Sequence, residues 1–489
     1  MAMLKLGANE DDFLLSARKL YGPVVYIPWP LCQVFVLDGE LINSVYSSPS
    51  KTLSFLPIRV SMQHSAFGTS KVITQSPIMH KQVFPTHARG MTTVRIEAPI
   101  HRFIKVAEAR IIELGYKIDA AGGTLEMELM HWVVDTMFDA ASAALFGEIF
   151  MLRTQENDFR KHFTTFDTCF PLLAADMIPS FLHPFVPLIA KGIKGRESLF
   201  ESIATWVEDG MPGLDEGVIL DMAQIGLTAG HSSREIASFL NADLWALQAN
   251  TPSAAGALLL YIIQSTLLPA VHEEINRIPT KSDSTTPDLD MKALASMEMV
   301  SSCVQETLRL NTSSYSIRVV EESFILPTSV IRDGKGTSTP GYLIPGGSRV
   351  ICATRAAHLS DAIWGNNPSI WDGERFLEKD DDEAGMKSKK AREMRGFGGG
   401  VSICEGRYLA SAELKAFIAL TLSAFDITPL YSTTSDGVAP PSNSSTLNAD
   451  IKDVNDPVIS PRRAPGRPGT GVFSFDYGSD VVVRVVRRR

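Results

Sequence analysis

Residues Phe397 to Ala410 read Phe-Gly-Gly-Gly-Val-Ser-Ile-Cys-Glu-Gly-Arg-Tyr-Leu-Ala. Three consecutive glycines let the backbone come close to a flat ligand and adopt left-handed torsions, and Phe397 offers an aromatic ring to pack on that ligand. The composition after Cys404 is rich in Ala, Leu, Glu and Lys, which predicts a helix. Cys404 is therefore expected at a helix N-terminus, where free N–H groups and the helix dipole favour a thiolate.

A thiolate in a glycine-lined slot suits a soft or borderline metal, and a single thiolate with the opposite face open fits haem. A lone intracellular cysteine is more often a small buried hydrophobic residue. The spacing Phe397-x-x-Gly400-x-x-x-Cys404-x-Gly406 decides between the two, because it resembles the haem-binding signature of the cytochrome P-450 monooxygenases. The resemblance implies haem b as cofactor, Cys404 as the axial ligand of its iron, and Phe397, Gly400 and Gly406 as cofactor-binding residues.

Length and composition limit the classes of protein to which this chain can belong. Taken alone, 489 residues suggest about three domains, but the resemblance implies one mainly α domain with a minor antiparallel β region, spanning residues 1–489. The net charge of −9 argues against a nucleic-acid partner. The five cysteines are scattered without Cys-x-x-Cys pairs, which indicates reduced thiols in a cytosol-facing compartment.

The N-terminal region shows no signal peptide or transmembrane helix, since its first ten residues are short and polar and the later apolar run is broken by two prolines. Eukaryotic members of the resembled family usually carry an N-terminal membrane helix, and Phe13–Pro23 resembles the segment that follows it. We therefore expect association with the endoplasmic reticulum membrane, facing the cytosol, with the anchor missing from this chain.

A long apolar pattern covers His231–Gln264 and predicts a helix that crosses the whole domain, starting from a capping box at Ser232 and Glu235. Pro252 lies in its middle and is expected to open the backbone ladder locally. The simplest interpretation is a structural kink without chemistry. The alternative is that the opened segment binds water or a ligand.

The resemblance favours the second alternative, because this helix is where dioxygen meets the haem in the P-450 family. It implies catalytic roles for Asn250 and Thr251. Gln248 stands where a glycine is commoner, and Asn250 replaces the usual acid. This form is similar to the branch that contains the sterol 7-alpha-hydroxylases and prostacyclin synthase, in which some members hydroxylate and others rearrange a bound peroxide.

A third segment, Met291–Leu310, has helical periodicity and ends with Glu306 and Arg309 three residues apart on one face. Such a pair alone says little, because exposed pairs of this kind are common and contribute only a few tenths of a kcal/mol. The resembled family joins the pair to a second arginine from an Arg-Phe motif, which Arg375 supplies here. The resemblance thus implies a buried structural triad of Glu306, Arg309 and Arg375.

Arg318 falls where the family places an arginine that binds a haem propionate. Ser402 replaces the basic residue that is usual two positions before the cysteine, so we expect Arg318 to carry more of this role. The tryptophan that often contacts a propionate is missing, and His87, Arg89 and Arg95 are candidates to replace it.

Four further segments remain to be interpreted, and the first two of them have open alternatives. Cys169–Ile189 is apolar but broken by four prolines, which suits a substrate lid, a surface that dips into a membrane, or plain burial. Lys379–Arg395 is either a solvated charged run or a docking patch for a reductase. Ser435–Pro468 is expected to be a mobile insertion, and Gly471–Val486 a hairpin whose tip touches the substrate.

The function implied by the resemblance is a monomeric haem-dependent monooxygenase that inserts one oxygen atom of O2 into a lipophilic small molecule, such as a sterol, terpenoid or other secondary metabolite. Electrons must come from a partner, NADPH-cytochrome reductase, because no flavin or nicotinamide fold is evident. Two alternatives remain: a reductase-independent haem-thiolate isomerase or dehydratase of an oxygenated lipid, and a non-catalytic haem-binding or sensing protein.

Overall fold

The structure is a computed structural model that describes most of the chain. The described residues are 9–28, 31–156, 158–281, 286–327, 341–365, 367–377, 393–434, 437–439, 459–464, 469–476 and 478–488. The expected mobile insertion at 435–468 lies outside them except for 437–439 and 459–464. The basic run lies outside them up to residue 392.

The fold is mainly α-helical with small β-sheets, which confirms the predicted class. A π-helical turn at Met79–Val83 leads into α5, and 3-10 turns lie at Ser180–Phe185 and Gly400–Ser402. The helices are α1 (Glu10–Tyr21), α2 (Gly39–Ser47), α3 (Leu56–Ser65), α4 (Lys71–Thr74), α5 (Phe84–Gly90), α6 (Glu97–Ala120), α7 (Leu129–Phe146), α8 (Glu148–Glu156), α9 (Phe159–Ala175), α10 (Pro187–Glu208), α11 (Val218–Thr228), α12 (Ser233–Ile263), α13 (Leu268–Asn276), α14 (Met291–Ala295), α15 (Glu298–Asn311), α16 (Thr354–His358), α17 (Asp361–Trp364) and α18 (Arg407–Ala424).

The strands form three sheets, ordered β1-β2-β8-β5-β11 with β3 on β5, β10-β9-β12-β4, and β6-β7. Among the described strands, only β2 and β8 pair in parallel. The strands are β1 (Val24–Ile27), β2 (Gln33–Val36), β3 (Leu53–Ser54), β4 (Thr124–Glu128), β5 (Thr312–Val320), β6 (Phe324–Leu326), β7 (Tyr342–Ile344), β8 (Arg349–Ala353), β9 (Phe425–Thr434), β10 (Gly437–Ala439), β11 (Thr470–Val472) and β12 (Ser479–Arg487).

Two expectations for the strands were wrong. In the sequence, residues 125–146 have apolar residues at helical spacing, which predicts one core helix. The first of these residues instead belong to β4, because they pair with β12. The segment Gly471–Val486 is not a hairpin, because β11 pairs with β5 and β12 pairs with β9 and β4 in another sheet. Long-range pairing overrides the local pattern in both cases.

The helix α12 crosses the core. It begins with the predicted capping box, in which Ser232 Oγ accepts from Glu235 N–H at 3.3 Å and Glu235 Oε2 accepts from Ser232 N–H at 2.8 Å. Most of its residues are buried on all sides, against α7, α10, α15 and α18. At Gly256 the contact with α7 is so close that a Cβ would lie 1.9 Å from Met130 Cε. The middle of α12 is thus held rigidly in the interior.

The apolar segment Cys169–Ile189 is helical at its start, because α9 continues through Pro171 to Ala175. Beyond α9, Met177, Phe181 and Phe185 are 60%, 72% and 79% exposed. Plain burial is therefore wrong for this part, and the lid and membrane alternatives remain.

Arg395 does not belong to a surface patch. Its side chain is 2% exposed and donates to Glu393 Oε2 at 2.5 Å, to the Gly39 carbonyl at 2.9 Å and to Asn43 Oδ1 at 2.8 Å. These contacts tie the segment before Cys404 to α2. The remaining residues of the predicted docking patch lie outside the described ranges.

Among the described helices, none is by itself both long and apolar enough to cross a membrane. The helices α12 and α13 meet that criterion only when they are taken together across a bend of 108°.

Candidate active site

The loop that carries Cys404 (residues 396–406, the cysteine loop) takes a shape that its glycines permit. Gly398 and Gly400 have φ values of +69° and +59°, in the left-handed region that favours glycine. A Cβ on Gly400 would lie 2.7 Å from the carbonyl oxygen of Tyr46. The Cys404 N–H donates to the Phe397 carbonyl at 2.9 Å, and α18 begins three residues further on. The loop is therefore folded tightly on itself and on α2.

A cavity of about 1210 Å³ lies between the cysteine loop and the middle of α12. The side chain of Cys404 is exposed to it, and Phe397 and Gly406 also line it. Gly400 is not among the lining residues, because it packs behind the loop. The lining is mostly apolar, and a cavity of this kind suits a lipophilic molecule.

The protein groups around Cys404 do not by themselves favour a thiolate. Burial raises the pKa of the Cys404 thiol, and it outweighs the backbone hydrogen bond from Gly406, which lowers the pKa. That the helix N-terminus favours a thiolate at Cys404 stays a prediction. Coordination of a thiol to a metal releases its proton, so haem iron bound at Cys404 would supply the thiolate.

The opposite wall of the cavity is formed by α12, and both Asn250 and Thr251 line it. Thr251 is 6% exposed. Asn250 Oδ1 accepts a hydrogen bond from the Val472 N–H of β11 at 2.9 Å. The Asn250 side chain is thereby held in one orientation that leaves its Nδ2 as the group able to donate into the cavity. The small side chain of Ala246 lines the cavity one turn before Asn250.

Gln248 points away from this site. Its Nε2 donates to the Phe138 carbonyl and to Ser142 Oγ, both at 3.0 Å, on α7. Pro252 lies inside α12, which remains one continuous helix from Ser233 to Ile263. Gln248 therefore anchors α12 to α7, and the proline does not break the helix.

Glu306, Arg309 and Arg375 come together in one buried cluster. Glu306 Oε2 and Oε1 accept from Arg309 at 2.7 and 2.8 Å, and Oε1 also accepts from Arg375 Nε at 3.0 Å. Glu306 and Arg309 are both 0% exposed and Arg375 is 9% exposed. The Asp372 N–H donates to Glu306 Oε1 at 3.0 Å. The triad thus joins α15 to the segment that precedes the cysteine loop.

Arg318 lies on β5, buried against the cysteine loop, although it is not among the residues that line the cavity. Its guanidinium donates to Ser402 Oγ at 2.7 Å and to the Gly399 carbonyl at 3.4 Å. Within the described residues it forms no salt bridge, and burial lowers its pKa. A buried cation without a carboxylate partner fits the propionate of a haem. Arg89 and Arg95 are exposed and do not line the cavity.

His87 lines the cavity but already has two carboxylate partners. Its Nε2 lies 2.8 Å from Asp243 on α12, and its Nδ1 contacts Glu405, which also pairs with Arg59 at 3.4 Å. Burial lowers the pKa of His87, but the two carboxylates outweigh it and raise that pKa to about 10. This network was not visible in the sequence, because no spacing rule connects residues so far apart.

Glu413 on α18 is a second group that sequence reasoning missed. It is 0% exposed, lines the cavity wall, and neither carboxyl oxygen has a hydrogen-bond partner in the described part of the chain. Burial raises the pKa of this carboxyl to about 8. Glu413 is therefore protonated at neutral pH.

The helical fold, the glycine-shaped cysteine loop and the buried Glu-Arg-Arg triad define a haem-thiolate oxygenase. The family model of cytochrome P450 matches residues 1–444. The chain belongs to the cytochrome P450 family. It is accordingly a P450 monooxygenase that uses haem b, and the donor set around Cys404 and Arg318 is compatible with that cofactor.

The chain is similar to several members of this family. Cytochrome P450 7A1 of Sus scrofa is 28% identical, with 92% of this chain and 91% of the relative covered. Cholesterol 7-alpha-monooxygenase of Cricetulus griseus is 26% identical, with 87% and 84% covered. Prostacyclin synthase of Rattus norvegicus is 25% identical, with the same coverage. These matches confirm the predicted resemblance to this branch.

Among solved structures, the retinoic acid-bound cyanobacterial CYP120A1 is similar with a TM-score of 0.69 and 17% identity. The match covers 99% of this chain and 96% of that one. At this identity the likeness establishes the fold.

Proposed function

We propose that this enzyme hydroxylates a lipophilic small molecule of the sterol or terpenoid class, with Cys404 as the axial ligand of the haem iron. The observation that carries the proposal is the apolar cavity of about 1210 Å³, which has the Cys404 sulfur on one wall and Asn250 and Thr251 on the other. In this arrangement a substrate lies between the α12 residues and the reacting face of the cofactor. Stacked Phe170 and Trp245, with ring centroids 3.7 Å apart, add a flat apolar wall.

When bound, the haem supplies reductive activation of dioxygen, which thiolate donation promotes. The chain's own groups handle water and protons. The Thr251 hydroxyl and the Asn250 Nδ2 would hold a water molecule on the α12 wall, from which a proton can be delivered. Arg318 would neutralise a propionate, with Ser402 Oγ orienting the guanidinium by accepting from it at 2.7 Å, and Glu306, Arg309 and Arg375 keep the cysteine loop in place.

Family members take electrons from a redox partner and bind O2 and a lipophilic substrate. We propose NADPH-cytochrome reductase as that partner. The test is turnover of a sterol and terpenoid panel by purified enzyme with this reductase, NADPH and ¹⁸O2. One ¹⁸O atom per product molecule, dependent on NADPH, supports the proposal.

The second candidate is a reductase-independent isomerase or dehydratase. Asn250 favours it, because an amide cannot pass on a proton as a carboxylic acid does, and prostacyclin synthase is among the similar proteins. Product formed from a lipid peroxide without NADPH and without ¹⁸O incorporation decides for this alternative. The family assignment disfavours the non-catalytic alternative.

For localisation we propose the cytosolic face of the endoplasmic reticulum membrane. The support is the exposed apolar segment with Phe181 and Phe185, which follows Met177 at the edge of the cavity. Flotation of the protein with phospholipid vesicles, lost in the Phe181→Ser, Phe185→Ser double variant, tests this proposal.

A further inference from the structure

The first half of β5 is unusually rich in hydroxyl groups for a strand beside an apolar cavity. Its sequence from 312 to 316 is Thr-Ser-Ser-Tyr-Ser. Side chains alternate between the two faces of a strand. Thr312, Ser314 and Ser316 line the cavity, as do Tyr315 and Ile317, whereas Ser313 does not and its Oγ donates to Glu10.

The side of β5 that lines the cavity has different surroundings at its two ends. Ser316 Oγ accepts from Tyr46 OH at 3.1 Å, and Arg318 follows it against the cysteine loop. At the other end Thr312 pairs with Val472 of β11, whose N–H holds Asn250. A strand rises about 3.3 Å per residue, so Thr312 lies roughly 20 Å along the strand from the propionate-binding end. Thr312 and Ser314 therefore belong to the substrate end of the cavity.

The hydroxyls of Thr312 and Ser314, at the substrate end, have no partner among the described residues, and neither does Tyr315 OH between them. Thr312 is 1% exposed, and its Oγ1 makes no hydrogen bond in the described part of the chain. No hydrogen bond to Ser314 Oγ is formed there either. An unpaired buried hydroxyl is costly, so buried hydroxyls usually have a partner.

The charges around Thr312 and Ser314 exclude an ionised group of the substrate as their hydrogen-bond partner. Of the described cations that line the cavity, Arg59 and His87 are paired with carboxylates, and Arg349 lies opposite Val319 at the far end of β5. A carboxylate at Thr312 would be buried without a cation, which is strongly unfavourable.

We infer that Thr312 and Ser314 form a subsite that binds a neutral oxygen function, a hydroxyl or a ketone, of an otherwise apolar substrate. This inference rests on the proposed function and narrows its substrate class. The enzyme then acts on a lipid that already carries a hydroxyl or a ketone.

The test uses haem-loaded enzyme and two pairs of ligands that share a skeleton: 5α-androstan-3-one with 5α-androstane, and menthone with p-menthane. Dissociation constants come from substrate-induced shifts of the Soret band. We expect the ketone of at least one pair to bind about fivefold to tenfold tighter than its hydrocarbon. In the Thr312→Val, Ser314→Ala double variant this preference disappears, and hydrocarbon affinity changes less than about twofold.

Thr421→Val is the matched control, because Thr421 is another buried hydroxyl without a partner in the described residues but does not line the cavity. It should keep the ketone preference. Equal affinity within both pairs, no response to any of the four ligands, or an unchanged preference in the double variant overturns the inference. A normal reduced carbonyl spectrum in the same samples shows that the haem-thiolate function survives that failure.

Discussion

At the scale of single residues, the triad concentrates three charges where water cannot reach them. Glu306 accepts from Arg309, Arg375 and the Asp372 N–H, so removing its charge leaves Arg309 without an anion and Arg375 with only Asp372, 3.9 Å away. Breaking such a buried set typically costs about 3–5 kcal/mol, in contrast with an exposed pair, which contributes less than about 1 kcal/mol.

We therefore predict that Glu306→Gln abolishes haem-loaded protein. The measurement is the ratio of Soret to 280 nm absorbance after purification. Glu273→Gln is the control, because Glu273 pairs with Arg277 at 2.5 Å but both side chains are about 70% exposed. Normal haem content in Glu306→Gln contradicts the structural role of the triad.

The proposed role of Thr251 leads to a kinetic prediction. Thr251→Ala removes the hydroxyl that holds water on the α12 wall, whereas Thr251→Ser keeps it. In Thr251→Ala we expect NADPH consumption to continue while product per NADPH falls at least about tenfold. Unchanged coupling in this variant means that protons are delivered from elsewhere.

The resemblance could be recognised in the sequence because its motifs are local: Cys404 with its glycines, and Glu306 with Arg309 one helical turn away. It did not reveal Glu413 or the pairing of His87 with Asp243 and Glu405. Those features depend on how distant segments pack, and a lone buried glutamate has no signature in one sequence.

At the scale of elements, the cysteine loop is shaped by backbone geometry. Gly400 combines a positive φ with direct contact to the Tyr46 backbone. Gly122 also has a positive φ, +82°, but a Cβ added there would meet no atom of the described residues within 4 Å. Substitutions at the two glycines therefore distinguish the effect of backbone strain from that of a steric clash.

We predict that Gly400→Ala displaces the loop and lowers haem content severely, because the added Cβ would lie 2.7 Å from the Tyr46 carbonyl oxygen. Gly122→Ala should cost only the strain of its torsion, about 1 kcal/mol, and retain haem. Haem titration of both variants decides the matter. Equal haem affinity in the two variants would show that the contact with α2 is unimportant.

The bounds of α12 were predictable from its capping box and apolar length. The orientation of its side chains was not. Gln248 turns to α7 and Asn250 to β11, because the partners that fix them lie more than a hundred residues away in the chain. The same reason explains why 125–128 became a strand and not the start of α7.

At the scale of the whole molecule, Glu413 makes stability depend on pH. Its folded pKa is raised from 4.5 to about 8. The stability that goes with this raised pKa is fully present below about pH 4.5, because the folded and the unfolded protein then both hold the proton. It is lost as pH rises towards 8, because the unfolded chain releases a proton that the folded protein retains.

We predict that Glu413→Gln removes this slope. Its free energy of unfolding in urea titrations should match that of wild type near pH 5. At pH 8.5 it should exceed that of wild type by an amount on the order of a few kcal/mol. Glu201→Gln, on the exposed side of α10, should follow wild type at both pH values. Parallel pH profiles for wild type and Glu413→Gln would show that the carboxyl is solvated or paired in solution.

The proposed function depends on one bond, between the Cys404 sulfur and the haem iron. The reduced carbonyl spectrum tests that bond directly, because a thiolate ligand shifts the Soret band strongly to the red. We predict the red-shifted band in wild type and its complete loss in Cys404→Ser. A wild-type protein without that band, or a Cys404→Ser variant that retains it, would contradict the account.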